Sequence, residues 1–426
     1  MSNTIQLPPI PVEILGLSDV EIIETTLNSA NEFIIKVKST KEDIHCHQCG
    51  RLTDPYGNGR TIKLRHLPIL GKKTFIEITP PRGRCSHCDN NPTTTQQADW
   101  YNRKSPHTKA YEKHALFSLI NSTISDVSIK EDLGYQAIQA IVDRYIETDV
   151  NWSLLKELGL LGLDEISLRK GYRDYVTLIS SRVGDEVKII AVLKGREKET
   201  IKAFLSSIPQ NLQRTIIAVC ADMYDGYINA AKEVFKKKIP IIVDRFHVAK
   251  LYRKSLVSIR KKELAGLKKI LSEKEYRTLK PAIALLCHCK EFMTDDETKM
   301  IAPLFKYSPL LKAAYDFCCQ LTGIYNSHID PGSANQKIME WIANVEASQI
   351  KGFKKFIKTL KKYQAEILNY FIDRNTSGFV EGINNKAKVM KRRCYGIFNL
   401  KHFFQRLTLD FSGYSIVGEM AGAACM

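Results

Sequence analysis

The spacing of apolar and polar positions changes along the chain. In the first 100 residues, short alternating runs such as Phe33–Val37 predict β-strands. Between residues 104 and 150, apolar residues recur every three or four positions, which predicts helices. Continuous apolar runs of strand length follow between residues 160 and 243. From there to about residue 370 the chain shows only amphipathic helical patterns. The pattern predicts a multidomain α+β protein.

The middle region has the clearest predicted architecture. The turn Gly184-Asp185 joins two of its strands, which favours an antiparallel meander. The predicted strands are Leu160–Ile166, Tyr175–Val183, Val187–Leu193, Thr215–Ala221 and Ile239–Val243, and the predicted helices are Glu199–Ser207 and Tyr227–Phe235. Their order, β-β-β-α-β-α-β, resembles that of the ribonuclease H-like fold.

Two carboxylates stand at the ends of predicted strands in this region. Asp164 lies at the end of the first strand, and Asp222 directly follows the fourth. In a ribonuclease H-like sheet these two strands are central neighbours, so the two carboxylates are expected to converge. Unpaired like charges this close repel each other unless a divalent cation lies between them. The pair therefore predicts a magnesium site, with simple capping of the following segments as the alternative.

A third carboxylate, Glu381, lies in the first turn of a predicted helix behind the polar turn at residues 375–378. The helix dipole alone favours a glutamate there. However, amide and basic residues continue at spacings of three or four positions, which is typical of a metal ligand beside a phosphate track. These residues are Asn384, Asn385, Lys388, Arg392 and Arg393.

Two C-x-x-C pairs, Cys46/Cys49 and Cys85/Cys88, lie in the N-terminal region. Each pair places two thiolates on one side of a tight turn, and two pairs complete a tetrahedral zinc site. The alternatives are a redox dithiol or a chance pairing. The neighbouring His45, His47 and His87 are also able to replace one cysteine. We expect a structural Zn²⁺ held by the four cysteines.

Two short predicted helices, Ser125–Leu133 and Gln136–Ile146, flank a turn that contains glycine, as in a helix-turn-helix. Such helix pairs are common, so the position between a zinc module and a basic core strengthens the interpretation. On the exposed face of the second helix we expect Gln136, Gln139 and Arg144 to read base edges in the major groove.

The amino-acid composition indicates which class of partner the protein binds. The chain has 426 residues, with 63 Lys+Arg against 46 Asp+Glu and a formal net charge of +17. This surplus favours nucleic acid as the partner. The sequence contains no apolar run long enough to span a membrane and no export signal, which predicts a cytoplasmic protein.

The features that carry a resemblance to a known family are the paired cysteines, the helix-turn-helix, Asp164 in LDEIS, Asp222 in CADMYDGY, VDRFHV at 243–248 and Glu381 in SGFVEGINNKAK. With these features the chain resembles the DDE transposases of bacterial insertion sequences, in their ISL-three branch. The resemblance implies a catalytic triad of Asp164, Asp222 and Glu381 that holds two Mg²⁺ or Mn²⁺ ions. It also implies an all-helical insertion and binding of terminal inverted repeats by the N-terminal modules. Arg196, Asp244 and His247 match family positions without assigned roles, and Asn384 and Lys388 are further auxiliary candidates.

The predicted domains are a zinc-binding module (1–100), a helix-turn-helix domain (101–152), the first part of a ribonuclease H-like core (153–250), an all-helical insertion (251–370) and C-terminal helices that complete the core (371–426). The predicted function is metal-dependent cleavage and strand transfer of double-stranded DNA, by at least a dimer in the DNA complex. Arg392 and Arg393 are candidate DNA contacts. The alternatives are a ribonuclease H-like nuclease or resolvase without strand transfer, and a DNA-binding regulator whose core has lost activity.

Overall fold

The computed structural model describes residues 5–421 apart from 9, 170, 171, 173 and 237. The chain forms two compact units. The N-terminal unit comprises the residues up to Glu147 together with those from Gln405 onward, and the C-terminal unit comprises Thr148–Phe404. The outermost residues of the first and last predicted domains, 1–4 and 422–426, lie outside the described residues.

The N-terminal unit contains two β-sheets. Among its described residues, one sheet has five strands in the order β1-β2-β3-β6-β5, and the other has three antiparallel strands in the order β4-β7-β8. The strands are β1 (Ile5–Gln6), β2 (Val20–Leu27), β3 (Phe33–Ser39), β4 (Asp54–Asn58), β5 (Ile62–Ile69), β6 (Lys72–Ile78), β7 (Pro81–Arg84) and β8 (Thr93–Thr95). The larger sheet buries an apolar face built from alternate residues such as Ile35, Val37, Ile76 and Ile78.

Helices of the same unit follow these sheets. They are α1 (Lys109–Leu119), α2 (Ile124–Glu131) and α3 (Tyr135–Tyr145), and the C-terminal helix α16 (Leu400–Ala421) belongs to this unit from Gln405 onward. The side chains of Thr108 and Thr123 cap α1 and α2. Ile138, Ile141 and Val142 on α3 pack with α1, α2 and Leu409 of α16. The apolar spacing that predicted the two short helices therefore corresponds to a real packing face.

The C-terminal unit is built on a mixed sheet whose described strands have the order β11-β10-β9-β12-β13. These strands are β9 (Gly159–Ser167), β10 (Tyr175–Val183), β11 (Glu186–Lys194), β12 (Ile216–Ala221) and β13 (Ile241–Val243). β9, β10 and β11 form an antiparallel meander, whereas β12 runs parallel to both β9 and β13. The continuous apolar runs arise because this sheet is covered on both faces, and Leu161, Ile179 and Val219 are almost completely buried.

Helices surround this sheet and then form a block of their own. Those near the sheet are α4 (Lys198–Ser207), α5 (Gln210–Gln213) and α6 (Asp225–Phe235). The block contains α7 (Arg245–Ile270), α8 (Glu273–Leu285), α9 (Asp295–Tyr307), α10 (Pro309–Asn326), α11 (Pro331–Ala347), α12 (Lys354–Lys362), α13 (Gln364–Leu368) and α14 (Tyr370–Asp373), and α15 (Gly378–Arg393) follows it. Single-turn 3₁₀ helices lie at Val12–Leu15, Trp152–Leu154, Lys290–Phe292 and Lys351–Phe353. The block contains no strand among its described residues, as the helical pattern predicted.

Within the described part of the chain, no helix combines the length and the apolar character that a membrane crossing requires.

Candidate active site and zinc centre

The four paired cysteines meet at one point of the N-terminal unit. Cys46 and Cys85 are buried, and the four Sγ atoms all lie within 4.8 Å of one another. The Sγ atoms are 3.9 Å apart between Cys46 and Cys88, and 3.7 Å apart between Cys49 and Cys85. Four thiolates at the usual Zn–S distance of about 2.3 Å form a tetrahedron with edges of about 3.8 Å. The spacing therefore fits a Zn²⁺ ion.

The backbone around the cysteines is arranged to accept thiolates. The Gln48 N–H points at the Cys46 sulfur and the His87 N–H at the Cys85 sulfur, each at 3.4 Å. Hydrogen bonds from the backbone of Cys49 and Gln48 lower the pKa of the Cys46 thiol to about 6. This favours the deprotonated form that binds a metal ion.

In the C-terminal unit, Asp164 and Asp222 stand at the same edge of the sheet. Leu163 of β9 pairs with Ala221 of the parallel strand β12, and each aspartate is the next residue along its strand. Parallel neighbours place their carboxyl ends side by side, where open α/β sheets hold their ligands. The register therefore places the two predicted carboxylates next to each other.

Neither carboxylate is without a partner, in contrast to the expectation from the sequence. His247 Nδ1 donates a hydrogen bond to Asp222 Oδ1 at 2.8 Å, and the Asn384 side-chain amide donates to Asp164 Oδ2. Asn384 is buried, and its Oδ1 atom finds no hydrogen-bond partner among the described residues. The site thus contains a buried amide oxygen whose hydrogen-bonding capacity the described residues leave unused.

Burial and charge separate the pKa values of the two aspartates. Burial raises the pKa of Asp164 to about 6, and the nearby charge of Asp222 adds to this effect. Burial also opposes ionisation of Asp222, but the hydrogen bond and charge of His247, the Met223 N–H and the Lys250 ammonium together lower its pKa. The hydrogen bond to Asp222 in turn raises the pKa of His247. Perturbation of this kind is typical of functional sites.

The third predicted carboxylate, Glu381, lies on helix α15, which packs along β9. Along β9, α15 is fixed by the Asn384–Asp164 hydrogen bond and by Lys391 Nζ, which donates to the Ser167 carbonyl at 2.7 Å. Glu381 lies one turn before Asn384 and is exposed, as are Lys388 and Arg392. Of the predicted row of polar residues, Asn384 therefore faces inward and Lys388 and Arg392 face solvent.

The three carboxylates are not gathered as closely as the cysteines are. Among the described residues, only the cysteine quartet brings at least three metal-binding groups within 4.8 Å of one another. Asp164 and Asp222 are joined by the strand register, whereas Glu381 is connected to β9 only through the packing of its helix.

Asp244, one of the positions that match the family, connects two helices that border the site. Asp244 is buried and caps α7, accepting from the Phe246 N–H at 3.0 Å, and the Ser377 hydroxyl donates to its other oxygen at 2.6 Å. It thus joins the start of the helix that carries His247 to the start of the helix that carries Glu381.

Arg196 holds the carboxylate next to Asp164. Its guanidinium pairs with Glu165 at 2.7 Å and lies over the rings of Tyr175 and Tyr224, at 4.5 and 4.8 Å from their centroids. Glu165 is thereby directed toward Arg196.

Gly162 of β9 determines how closely α15 approaches the sheet. A Cβ atom at this position would lie 2.3 Å from Val380 Cγ2 and 2.7 Å from Ser180 Oγ. We expect Gly162→Ala to lower the free energy of unfolding by about 1–3 kcal/mol, because extra volume in a packed core forces its neighbours apart. Denaturant unfolding of the two proteins measures this difference.

Gly266→Ala is the matched control for that prediction. Gly266 is an exposed residue of helix α7, and a Cβ atom added there would meet no other atom within 4 Å. Alanine should therefore leave stability unchanged or raise it by about 0.5–1 kcal/mol. Equal stability of the Gly162→Ala and wild-type proteins would show that α15 does not depend on this contact.

The structure corrects one of the residues expected to contact DNA. Gln139 of α3 is buried, and its side-chain amide donates to Gln405 and to Asp143. The prediction that it faces the major groove is wrong, because α16 covers this side of α3. Gln136 and Arg144 are exposed, although Arg144 also pairs with the buried Glu112.

Basic residues of the helical block lie beside Asp222, and the sequence did not single them out. A cavity of about 440 Å³ is lined by Asp222, His247, Lys250, Thr359, Lys362 and Tyr363, among others. The only signal in the sequence is the general basic character of the block, since the lysines of α7 and α12 are separated by more than 100 residues.

Comparison with known proteins assigns the family. A profile described as a transposase, of the ISL-three DDE type, matches residues 161–407. A second profile, for the zinc-finger of transposase IS204/IS1001/IS1096/IS1165, matches residues 42–88, the segment that contains all four cysteines. The first match spans more than half of the sequence, and the chain belongs to the ISL-three family of DDE transposases.

A curated relative extends the similarity over most of the chain. The transposase for insertion sequence element IS1001 from Bordetella parapertussis is 25% identical over 395 residues, which cover 92% of this chain and 95% of the relative. The predictions of an insertion-sequence transposase and of a zinc-ribbon site for structural Zn²⁺ are thus confirmed.

Proposed function

We propose that this transposase cuts and joins DNA at the carboxyl edge of the β9–β12 pair, with Asp164, Asp222 and Glu381 as its catalytic residues. The observation that carries the proposal is the parallel register that makes Asp164 and Asp222 neighbours. The packing of α15 along β9 supports Glu381 as the third member. The strand order, with an antiparallel meander followed by two parallel strands, supports a ribonuclease H-like core.

The residues at this edge fit divalent cations such as Mg²⁺ or Mn²⁺. Carboxylate and amide oxygens are the donors that these ions prefer, and the site offers Asp164, Asp222, the unpartnered Oδ1 of Asn384 and, one helical turn away, Glu381. When bound, two such ions supply activation of the attacking oxygen and stabilisation of the leaving oxygen in an in-line displacement.

The surrounding residues hold these ligands in place. His247 orients Asp222 through its Nδ1–H, and Asn384 does the same for Asp164. Asp244 fixes the starts of both helices that border the site. The orientation of side chains over a reacting phosphate is a major part of phosphoryl-transfer catalysis.

The N-terminal unit is proposed to recognise the terminal inverted repeats. The succession of the two short helices α2 and α3 around a short turn supports a helix-turn-helix, and the exposed Gln136 and Arg144 are suited to base edges. Arg392 and Arg393 of α15 are proposed to contact the phosphate backbone, which also supplies the salt-dependent share of binding to target DNA. Because a transposase joins two element ends, we expect at least a dimer in the DNA complex, acting in the bacterial cytosol.

The decisive experiment incubates the purified protein with duplex DNA carrying the inverted repeats that flank its gene, in the presence of Mg²⁺. The expected products are 3′-ends released at the repeat and strands joined to target DNA. Cleavage without joined strands would favour a nuclease or resolvase. Binding without either product would favour a regulator whose core is inactive.

A further inference from the structure

The cavity beside Asp222 is lined by side chains of both charges. Asp222 at the end of β12 contributes a carboxylate. Helix α7 contributes His247 and Lys250, and helix α12 contributes Thr359 and Lys362. Its volume of about 440 Å³ is within the range of small-molecule binding sites, about 300–1,000 Å³. A group of nucleotide size therefore has room between the predicted metal ligands and the lysines.

Helix geometry holds Lys250 on the side of the cavity. Lys250 follows His247 by three residues on α7, so both side chains lie on one face of the helix. Lys250 is exposed, and its side chain forms no hydrogen bond or ion pair with any described residue. Its ammonium group therefore lines the cavity, where Asp222 is the carboxylate on which its charge acts.

Lys362 is the second cation, and it has an acidic partner on another helix. It pairs with Asp225 of α6, and the Tyr363 hydroxyl donates to the other oxygen of Asp225 at 2.9 Å. The preceding residue, Lys361, pairs instead with Glu346 at 2.9 Å and lines a different cavity. These two consecutive lysines of α12 thus line different cavities, and of the two it is Lys362 that lines the cavity beside Asp222.

We propose that Lys250 and Lys362 bind a backbone phosphate of the DNA strand next to the phosphate that is cut. The inserted helical block would then position the strand over Asp164 and Asp222. Two cations and a hydroxyl complement one phosphodiester, whereas the Asp222 carboxylate repels it and confines it to the lysine side. The inference rests on the proposed function, since it assumes that the scissile phosphate lies at the two aspartates.

The test combines lysine substitutions with neutral phosphates. A series of inverted-repeat duplexes is prepared, each with one methylphosphonate at a different position near the cut. Cleavage of each duplex is measured for the wild type, Lys250→Gln and Lys362→Gln. On unmodified DNA each variant should cleave roughly tenfold more slowly, as expected for one hydrogen bond between charged groups. On the duplex with the neutral linkage at the recognised phosphate, the wild type should slow by more than tenfold, because both lysine contacts are lost. Each variant should slow by a smaller factor than the wild type does, because it has only one lysine contact left to lose.

Matched controls separate this contact from general charge and from stability. Lys254→Gln lies one turn further along α7, and Lys361→Gln lies next to Lys362; both should keep the wild-type rate and the wild-type response to methylphosphonates. Asp225→Asn removes the partner of Lys362 without removing the cation, so it should not reproduce the loss in Lys362→Gln. In Lys250→Gln, the slope of the logarithm of the DNA-binding constant against the logarithm of the salt concentration should decrease in magnitude by about one, which corresponds to one lost phosphate contact.

Three results would overturn the inference. The first is cleavage by both lysine variants at the wild-type rate. The second is a slower variant that still responds to every methylphosphonate as the wild type does, because the lysine then acts elsewhere. The third is a wild-type protein that does not cut unmodified DNA, which would remove the proposed function together with this inference.

Discussion

The Asp222→Asn protein is expected to bind inverted-repeat DNA like the wild type and to cleave it ~10³-fold or more slowly, the scale on which the loss of a catalytic residue acts. The substitution keeps the size of the side chain and its ability to accept the hydrogen bond from His247. It removes the negative charge that a divalent cation requires. Binding by fluorescence anisotropy and cleavage in single-turnover reactions separate the two effects.

Asp164→Asn should behave in the same way, because Asp164 directly follows Leu163, the residue of β9 that pairs with Ala221 immediately before Asp222. The control is Asp185→Asn, at an exposed position in the turn between β10 and β11; it should cleave at the wild-type rate. If either site variant retained cleavage within a few-fold of the wild type, the assignment of the catalytic carboxylates would be wrong.

Much of the core could be predicted from the sequence because local patterns determine it. The apolar runs around Asp164 and Asp222 correspond to β9 and β12, and the predicted bounds of the other core strands differ from the observed bounds by at most two residues. Strands buried on both faces leave continuous apolar runs, and a carboxylate directly after such a run marks the edge of the sheet. In a ribonuclease H-like sheet β9 and β12 are neighbours, so the fold also predicts that the two aspartates lie side by side.

The polar partners at the site could not be predicted in the same way. Asn384 and Asp164 are 220 residues apart in the chain, and a single hydrogen bond between distant elements leaves no periodic trace in the sequence. The close approach that Gly162 permits is equally invisible, because a lone glycine in a strand has several explanations. Glu381 shows the same limit, since its helix was predicted but its distance from the aspartates was not.

The error at Gln139 has a related cause. The apolar residues of α3 correctly indicated its packing face, and every polar residue outside that face was assigned to solvent. Gln405 on α16, however, donates to Asp143 at 2.8 Å and accepts from Gln139 at 3.1 Å, which closes a polar contact over part of the helix. A pattern of apolar positions cannot reveal a buried contact made by amides.

Replacing zinc ligands is expected to have an effect of similar severity on the N-terminal unit. We expect about one zinc per chain in the wild type, as four thiolates form one tetrahedral site, and none in the double variant Cys46→Ser/Cys85→Ser. Metal analysis measures this content. Limited proteolysis should then cut the variant between residues 42 and 97, while the C-terminal unit remains protected.

The loss of zinc should unfold the zinc-binding module because few other interactions stabilise it. Its sheet consists of strands of five, four and three residues, and every residue of β4 is exposed. Such a small sheet has almost no apolar core, so the zinc binding energy, about 10–16 kcal/mol in small zinc modules, supplies most of its folding energy.

Cys287→Ser is the control for the zinc prediction, since Cys287 is an exposed thiol outside the cluster; it should retain the metal and the protease resistance. A double variant that resisted protease at residues 42–97 would show that the β-strands fold without the ion. A wild-type protein without zinc would contradict the site itself. The two outcomes differ because the first concerns only the energetic role of the metal, whereas the second concerns whether the thiolates of the quartet bind it.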